Sequence, residues 1–161
     1  MINKNHIYIF ISYISLQFSN LMESASNTEH KCRRFEGRTI IVTGGGGAIG
    51  GAAAERMASE GANIVLTDIV EEAKLQAIAT QLGETTGAKT LAVRADVTKP
   101  DQVQMVIKAT VDAFGRLDGL FNNAGYQGAF KPVHEYPDED FPRVMQINVV
   151  GVFYFLKYAA I

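Results

Sequence analysis

The sequence is short of several things. It has a single cysteine, Cys32, which excludes an internal disulfide and any multi-cysteine metal site. Its three histidines, His6, His30 and His134, are scattered, which argues against a histidine-based metal centre. It has no excess of basic charge: 15 Lys and Arg stand against 17 Asp and Glu, a net charge of −2. That balance argues against nucleic acid or an anionic membrane as the main partner. Long apolar runs are also missing. The best candidate, Ile7 to Phe18, is interrupted by Ser12, Ser15 and Gln17 and is too short to span a bilayer. What is present is ordinary for a globular protein. Apolar residues make up 47% of 161 residues, enough for one domain with a real core and too many for a wholly disordered chain.

The chain divides by composition. Residues 1–21 are rich in Ile, Tyr, Phe, Ser and Asn, with one Lys and no acid. Residues 22–34 are polar and end in Lys31, Arg33 and Arg34. Three readings of 1–34 stay open: a disordered or artefactual extension, with Met22 as an alternative start; a weak targeting or membrane-surface segment; and a packed structural element. The small residues Ser24, Ala25 and Ser26 suit a cleavage site, but the absence of arginine before Arg33 speaks against a mitochondrial presequence. The expectation is a domain over 35–161 and a cytoplasmic protein without firm membrane association.

From Phe35 the pattern is βαβαβαβα. Strands are expected at 39–43, 63–67, 90–94 and 117–121, each a short apolar or β-branched run. Helices are expected at 48–60, 71–82, a segment carrying Val103, Val106, Ile107, Val111 and Phe114, and 138–158. Thr98, with Asp101 three residues on, suggests a capping-box variant opening the third helix. Asp138, Glu139 and Asp140 suggest an acidic start to the fourth. Alternating strands and helices imply an α/β fold, a parallel sheet covered on both faces.

The segment Thr43-Gly44-Gly45-Gly46-Gly47-Ala48-Ile49-Gly50 joins the first strand to the first helix. Glycines let a backbone turn sharply and approach a pyrophosphate, and a helix N-terminus offers free N–H groups. Two patterns fit: G-x-G-x-x-G at Gly45, Gly47 and Gly50, and T-G-x-x-x-[GA]-x-G at Gly44, Ala48 and Gly50. A plain tight turn has the same letters; the strand before, the helix after and the acid downstream select dinucleotide binding. That acid is Asp68, eighteen residues beyond Gly50. A carboxylate there accepts hydrogen bonds from ribose hydroxyls and repels a 2′-phosphate. No Lys or Arg lies in the loop or just after Asp68, so NAD is expected over NADP. Asp68 also suits a helix cap before Glu71.

Thr43–Gly50, Asp68, Asp96-Val97, Asn122-Asn123-Ala124-Gly125 and Asn148 together resemble the short-chain dehydrogenase/reductase family, in its order and spacing across 35–161. The resemblance implies a three-layer Rossmann fold, NAD(H), and hydride transfer to or from a small alcohol or ketone. It implies that Asp96 bonds the adenine amino group with Val97 packing nearby. It places Asn123, Ala124 and Gly125 along the cofactor cleft. It makes Asn148 the active-site asparagine that helps hold a water near the catalytic lysine. From the residues alone, Asp96 also suits a loop acid and Asn122 and Asn123 suit turn formers.

The resemblance further implies a catalytic serine and a Tyr-x-x-x-Lys pair beyond the fourth strand. This chain has no Tyr-x-x-x-Lys, no serine after Ser59 and no threonine after Thr110. Tyr154 and Lys157 are three apart and read as an ordinary helix face; His134 reads as a substrate contact or a solvated loop residue. The expectation is therefore a cofactor-binding half: an incomplete parallel sheet in the order 3-2-1-4, an open fourth strand, and a last helix whose Val149, Val152, Phe153, Phe155 and Leu156 lose packing partners. In the family that helix forms much of the subunit interface, so the homo-oligomer implied for the complete enzyme is doubtful for this chain. A non-catalytic dinucleotide-binding module, or a truncated pseudoenzyme, is the alternative.

Overall fold

A computed structural model of the protein describes residues 33–160. The readings of residues 1–32, Cys32 included, fall outside them. Four strands form one parallel sheet: β1 (Thr39–Thr43), β2 (Asn63–Asp68), β3 (Thr90–Arg94) and β4 (Gly119–Phe121). Their order is β3-β2-β1-β4, as the family resemblance implied, with β3 and β4 at the edges.

The strands alternate in which face they serve, because successive side chains point to opposite sides of a sheet. Ile40, Val42, Ile64 and Leu66 face helices α1 (Ala48–Ser59) and α2 (Glu72–Thr86), packing on Ala54, Ala58, Leu75 and Ala79. Ile41 and Val65 face the other way, onto Val103 and Val106 of α3 (Pro100–Phe114) and Phe155 of α5 (Val152–Ala159). The result is three layers around a doubly covered sheet, the arrangement that permits near-continuous apolar strands.

Boundaries differ from the sequence reading in instructive places. Helix α2 runs on to Thr86 and stops where Gly87 turns left-handed at φ +74°. Strand β4 pairs only from Gly119, opposite Ile40, and not from Leu117. Thr98 does not cap α3. Its hydroxyl and N–H both go to Asp96 Oδ1, at 2.7 and 2.9 Å, and the helix opens after Lys99 with Pro100 in its first turn. Proline is well placed there because first-turn N–H groups lack helical partners.

The last helix, expected over 138–158, runs without a break from Asp140 to Ala159 but is not α-helical throughout. A 3₁₀ turn at Val133–Glu135 precedes α4 (Asp140–Met145); a π-helical segment, Gln146–Gly151, then leads into α5. Phe155, expected to be stripped of partners, is fully buried; Val149, Phe153 and Leu156 are the residues left exposed. Phe155 keeps its partners because Ile41, Val65, Val103 and Val106, all on elements present here, form its pocket.

Arg34, assigned to the leader by composition, belongs to the described fold. It bonds the Glu60 carboxylate, which also accepts from Arg56 Nε at 2.5 Å. These guanidinium bonds, Arg34 first, hold the Glu60 carboxyl at a pKa of about 2 against an ordinary 4.5. A depressed carboxylate pKa contributes stability above the unfolded value and loses it as pH falls through the folded value. Stability should therefore decline between about pH 4.5 and about pH 2. In Glu60→Gln this part of the decline should flatten. Denaturant unfolding measured at pH 6, 4.5 and 3 checks it, and an unchanged slope in the variant would count against it.

Candidate functional site

All the sequence motifs meet at the carboxyl ends of the strands. A cleft of about 480 Å³ opens there, lined by the segments that follow all four strands and by the last helix. The loop after β1 supplies Gly44, Gly47, Ala48, Ile49 and Gly50. The turns after β2 and β3 supply Asp68, Ile69, Asp96 and Val97. The segment after β4 and the helix following it supply Asn123, Ala124, Gly125, Tyr126, Arg143 and Ile147. Open α/β sheets bind ligands in this place, between loops that diverge from neighbouring strands.

The structure distinguishes the two glycine patterns. Gly44 has φ +66°, and a side chain there would meet Asn123 Nδ2 at 2.9 Å. A Cβ on Gly50 would sit 2.2 Å from the Gly44 carbonyl oxygen. Gly47 has no such restriction: its nearest neighbour would be 3.4 Å away. Gly45 is also crowded, since a Cβ there would lie 2.9 Å from Leu66 Cδ2 and 3.2 Å from the Val42 carbonyl oxygen. Gly44, Gly45 and Gly50 are thus constrained, and Gly47 is the one position of the G-x-G-x-x-G pattern that is not, which favours the T-G-x-x-x-[GA]-x-G pattern. Helix α1 begins immediately after Gly47 with no side-chain cap, so its first N–H groups are left for an incoming acceptor.

Thr43 is the one predicted cofactor residue that does not line the cleft. It is fully buried, and its hydroxyl accepts from the N–H groups of Asn123 (2.8 Å) and Ala124 (2.9 Å) while donating to Asn122 Oδ1 (3.3 Å). Asn123 Nδ2 returns a bond to the Thr43 carbonyl at 3.1 Å, and Asn122 Nδ2 donates to the Val152 carbonyl at 3.1 Å. Thr43 therefore ties the segment after β4 to the end of β1, and Asn122 ties the same segment to α5.

Both acids of the cleft are held by backbone. Asp68 Oδ2 accepts from the Gly46 N–H at 2.9 Å, and Oδ1 from the N–H groups of Ile69 and Val70 at 2.7 and 3.2 Å. The carboxylate thus binds the glycine loop to the end of β2; it does not cap α2, which opens after Glu71. Asp96 commits Oδ1 to Thr98, and among the described residues Oδ2 accepts nothing. Ionised carboxylates accept only, so a donor is the natural complement to that oxygen.

Asn148 lies in the π segment. Its side chain is exposed, not buried as a lone amide in an apolar helix would suggest. Its two ends clamp the Tyr126 backbone: Oδ1 accepts from the Tyr126 N–H at 2.8 Å, and Nδ2 donates to the Tyr126 carbonyl at 3.0 Å. π turns recur at functional sites because they displace one residue from the helical register. The displacement also brings Gly151 against Val97, where a Cβ would lie 2.7 Å from Cγ2.

Several cleft residues were not found by sequence reasoning. Tyr126 and Ile147 adjoin the motif residues Gly125 and Asn148, and Ile69 adjoins Asp68, so chain proximity was an available signal. Arg143 had none; its guanidinium lies over the Tyr126 ring, 4.4 Å from the centroid. Asp140 does more than start a helix: it accepts from the Tyr126 hydroxyl at 3.1 Å and the Ala129 N–H at 2.5 Å. The bond to Asp140, with burial, pushes the Tyr126 phenol above its ordinary pKa of 10.0. A phenol held protonated in this way is a poor general base.

Tyr154 and Lys157 are not among the cleft residues. Tyr154 stacks on Tyr158, with ring centroids 6.4 Å apart, and the Lys157 ammonium lies 5.3 Å from the Tyr158 ring centroid. His134 is exposed in the 3₁₀ turn, outside the cleft lining. No group of three or more potential metal ligands occurs among the described residues. None of their helices is long and apolar enough to cross a membrane.

Comparison with known proteins adds the following. The sequence model of a family described as short chain dehydrogenase matches residues 38–160. Levodione reductase of Leifsonia aquatica is 39% identical over 126 residues, 78% of this chain and 47% of the relative. A 2,5-dichloro-2,5-cyclohexadiene-1,4-diol dehydrogenase of Sphingobium indicum is 41% identical over 124 residues, 77% of this chain and 48% of the relative. A crystal structure of NAD⁺-bound xylitol dehydrogenase superposes with a TM-score of 0.75 at 43% identity, covering 79% of this chain and 48% of that one. The chain thus spans about half the length of the curated relatives it matches.

Proposed function

The chain belongs to the short-chain dehydrogenase family, and from that premise we propose that it carries the NAD-binding half of an oxidoreductase acting on a small alcohol or ketone. The observation that carries this reading is the glycine cradle. A Cβ at Gly50 would occupy space 2.2 Å from the Gly44 carbonyl, beside a helix N-terminus left uncapped. That combination suits a bridging pyrophosphate, whose charge the N–H groups and helix dipole would hold.

In this reading Asp68 receives the ribose hydroxyls while keeping the glycine loop in place. Asp96 meets the adenine amino group through its free oxygen, with Val97 and Ile69 offering apolar contact. Asn123, Ala124 and Gly125 border the cleft beyond. Bound NAD supplies a nicotinamide ring that accepts or gives a hydride. Asn148 keeps Tyr126 and its loop in position and, in the complete enzyme, helps hold a water beside the catalytic lysine. A cytoplasmic location and a homo-oligomeric complete enzyme belong to the same reading.

The residues present do not complete a proton path. The family's serine and tyrosine–lysine pair have no counterpart among these 161 residues, and Tyr126 is held protonated by Asp140. We therefore expect the chain to bind NAD(H) without turnover. Calorimetric titration with NADH should give saturable binding that a Gly50→Trp variant loses. Incubation with NAD and simple alcohols should form no NADH above that variant. NADH formation by the wild-type chain would overturn the non-catalytic part, and absence of binding would overturn the whole.

A further inference from the structure

In sequence, no cation stands in the glycine loop or just after Asp68. The sheet supplies one from elsewhere. In the parallel pairing of β2 with β3, Asp68 stands opposite Arg94. Paired residues of adjacent parallel strands lie about 4.8 Å apart and point to the same face. The Arg94 side chain then reaches over the turn after β2, and its Nε donates to the Val70 carbonyl at 3.1 Å. Arg94 is exposed, and among the described residues it forms no ion pair. Arg94 is not itself in the cleft lining, but its terminal guanidinium N–H groups are available to a ligand that extends past Asp68 and Ile69 over the turn after β2.

From this juxtaposition we infer that Arg94 is a latent 2′-phosphate site: the cleft rejects NADP through the single carboxylate of Asp68, and Arg94 binds the 2′-phosphate once that carboxylate is neutral. The inference deepens the dinucleotide-binding reading and rests on it. The chemistry is straightforward. A phosphate at the ribose 2′ position would lie against the ionised Asp68, a like-charge contact without compensation. Without that charge, the cation paired with position 68 across the sheet is Arg94, whose planar fork suits bidentate phosphate binding. Arg94 is already anchored at Val70, so little side-chain freedom remains to be lost on binding.

Calorimetry on the full chain, with NAD⁺, NADP⁺ and adenosine 2′,5′-bisphosphate as probes, tests this. The variants are Asp68→Asn, Asp68→Asn/Arg94→Gln and Asp68→Asn/Arg94→Lys, with melting curves confirming that each is folded. Asp68→Ser replaces Asp68→Asn if the latter fails to fold. Neutralising Asp68 should tighten both 2′-phosphorylated probes by about tenfold or more. The Gln double variant should lose that gain, and the Lys double variant should keep part of it. A gain that survives Arg94→Gln, or no gain while the wild-type chain still binds NAD⁺, would overturn the role of Arg94 and leave the NAD reading intact. If no variant and no wild-type chain binds any of the three probes, the dinucleotide reading falls and this inference falls with it.

Discussion

Gly50→Ala should abolish NAD binding and lower the melting temperature, although alanine is the better helix former. The gain in helix propensity is at most about 1 kcal/mol. Against it stands a methyl group 2.2 Å from the Gly44 carbonyl oxygen and 2.8 Å from its carbonyl carbon. Both are backbone atoms, so relief requires the loop to move and not merely a side chain to rotate. Moving it opens the Gly47 N–H bond to the Gly44 carbonyl (3.1 Å) and disturbs the Asp68 contact at Gly46 (2.9 Å). Overpacking of this kind costs about 1–3 kcal/mol or more. Two neighbouring glycines provide the contrast. Gly47→Ala would bring its Cβ no closer than 3.4 Å to any neighbour, and Gly51→Ala no closer than 3.8 Å, inside α1. Gly51→Ala should be neutral or stabilising by up to about 1 kcal/mol, with NAD binding retained. Equal loss of binding in the variants at 47 and 50 would restore the G-x-G-x-x-G reading and defeat this one. Thermal melts and NADH titrations on the three variants decide it.

Phe155→Ala should cost about 3–5 kcal/mol, the usual range for emptying a buried phenylalanine site. Phe155 is fully buried among Ile41, Val65, Val103 and Val106. It is the contact through which α5 grips the sheet, and Asn122 reaches the same helix at the Val152 carbonyl. Small domains are stable by only about 5–15 kcal/mol, so this loss is a large share of the whole. The effect should also reach the cleft, because α5 continues the π segment that carries Asn148. Leu156→Ala is the control: Leu156 is 57% exposed, and its truncation should change stability by about 0.5 kcal/mol or less. Denaturant unfolding followed by far-ultraviolet circular dichroism measures both. Equal costs at 155 and 156 would contradict the inward orientation of Phe155.

How far the sequence could be read depended on the range of the interaction. Strands β1 and β3 were legible to the residue because each is a short apolar or β-branched run closed by a change of composition. Helix α2 extends four residues beyond Leu82, because Gly83 stays helical and the left-handed stop is Gly87. The capping role given to Thr98 failed because its hydroxyl had a nearer acceptor in Asp96. No residue pattern announces the π segment inside the last helix, and the burial of Phe155 depends on contacts with Ile41, Val65, Val103 and Val106 that lie far away in sequence. Asp68 lines the cleft that holds the glycine loop, but its three backbone bonds, one of them into that loop, leave no trace in the sequence.

The order 3-2-1-4 was implied by the family resemblance; by itself, the sequence determined the alternation of strands and helices, the position of the glycine loop and the lack of any serine after Ser59 and of any Tyr-x-x-x-Lys. These follow from local periodicity and from motifs contiguous along the chain. Only the tertiary structure decided which glycines are obligatory, because that depends on how close the Gly44 backbone approaches Gly50. It alone turned Thr43 inward as the tie between β1 and the segment after β4, and placed Arg143 over Tyr126. It alone set Arg94 beside Asp68, since parallel pairing joins residues that the intervening helix α2 keeps far apart in sequence.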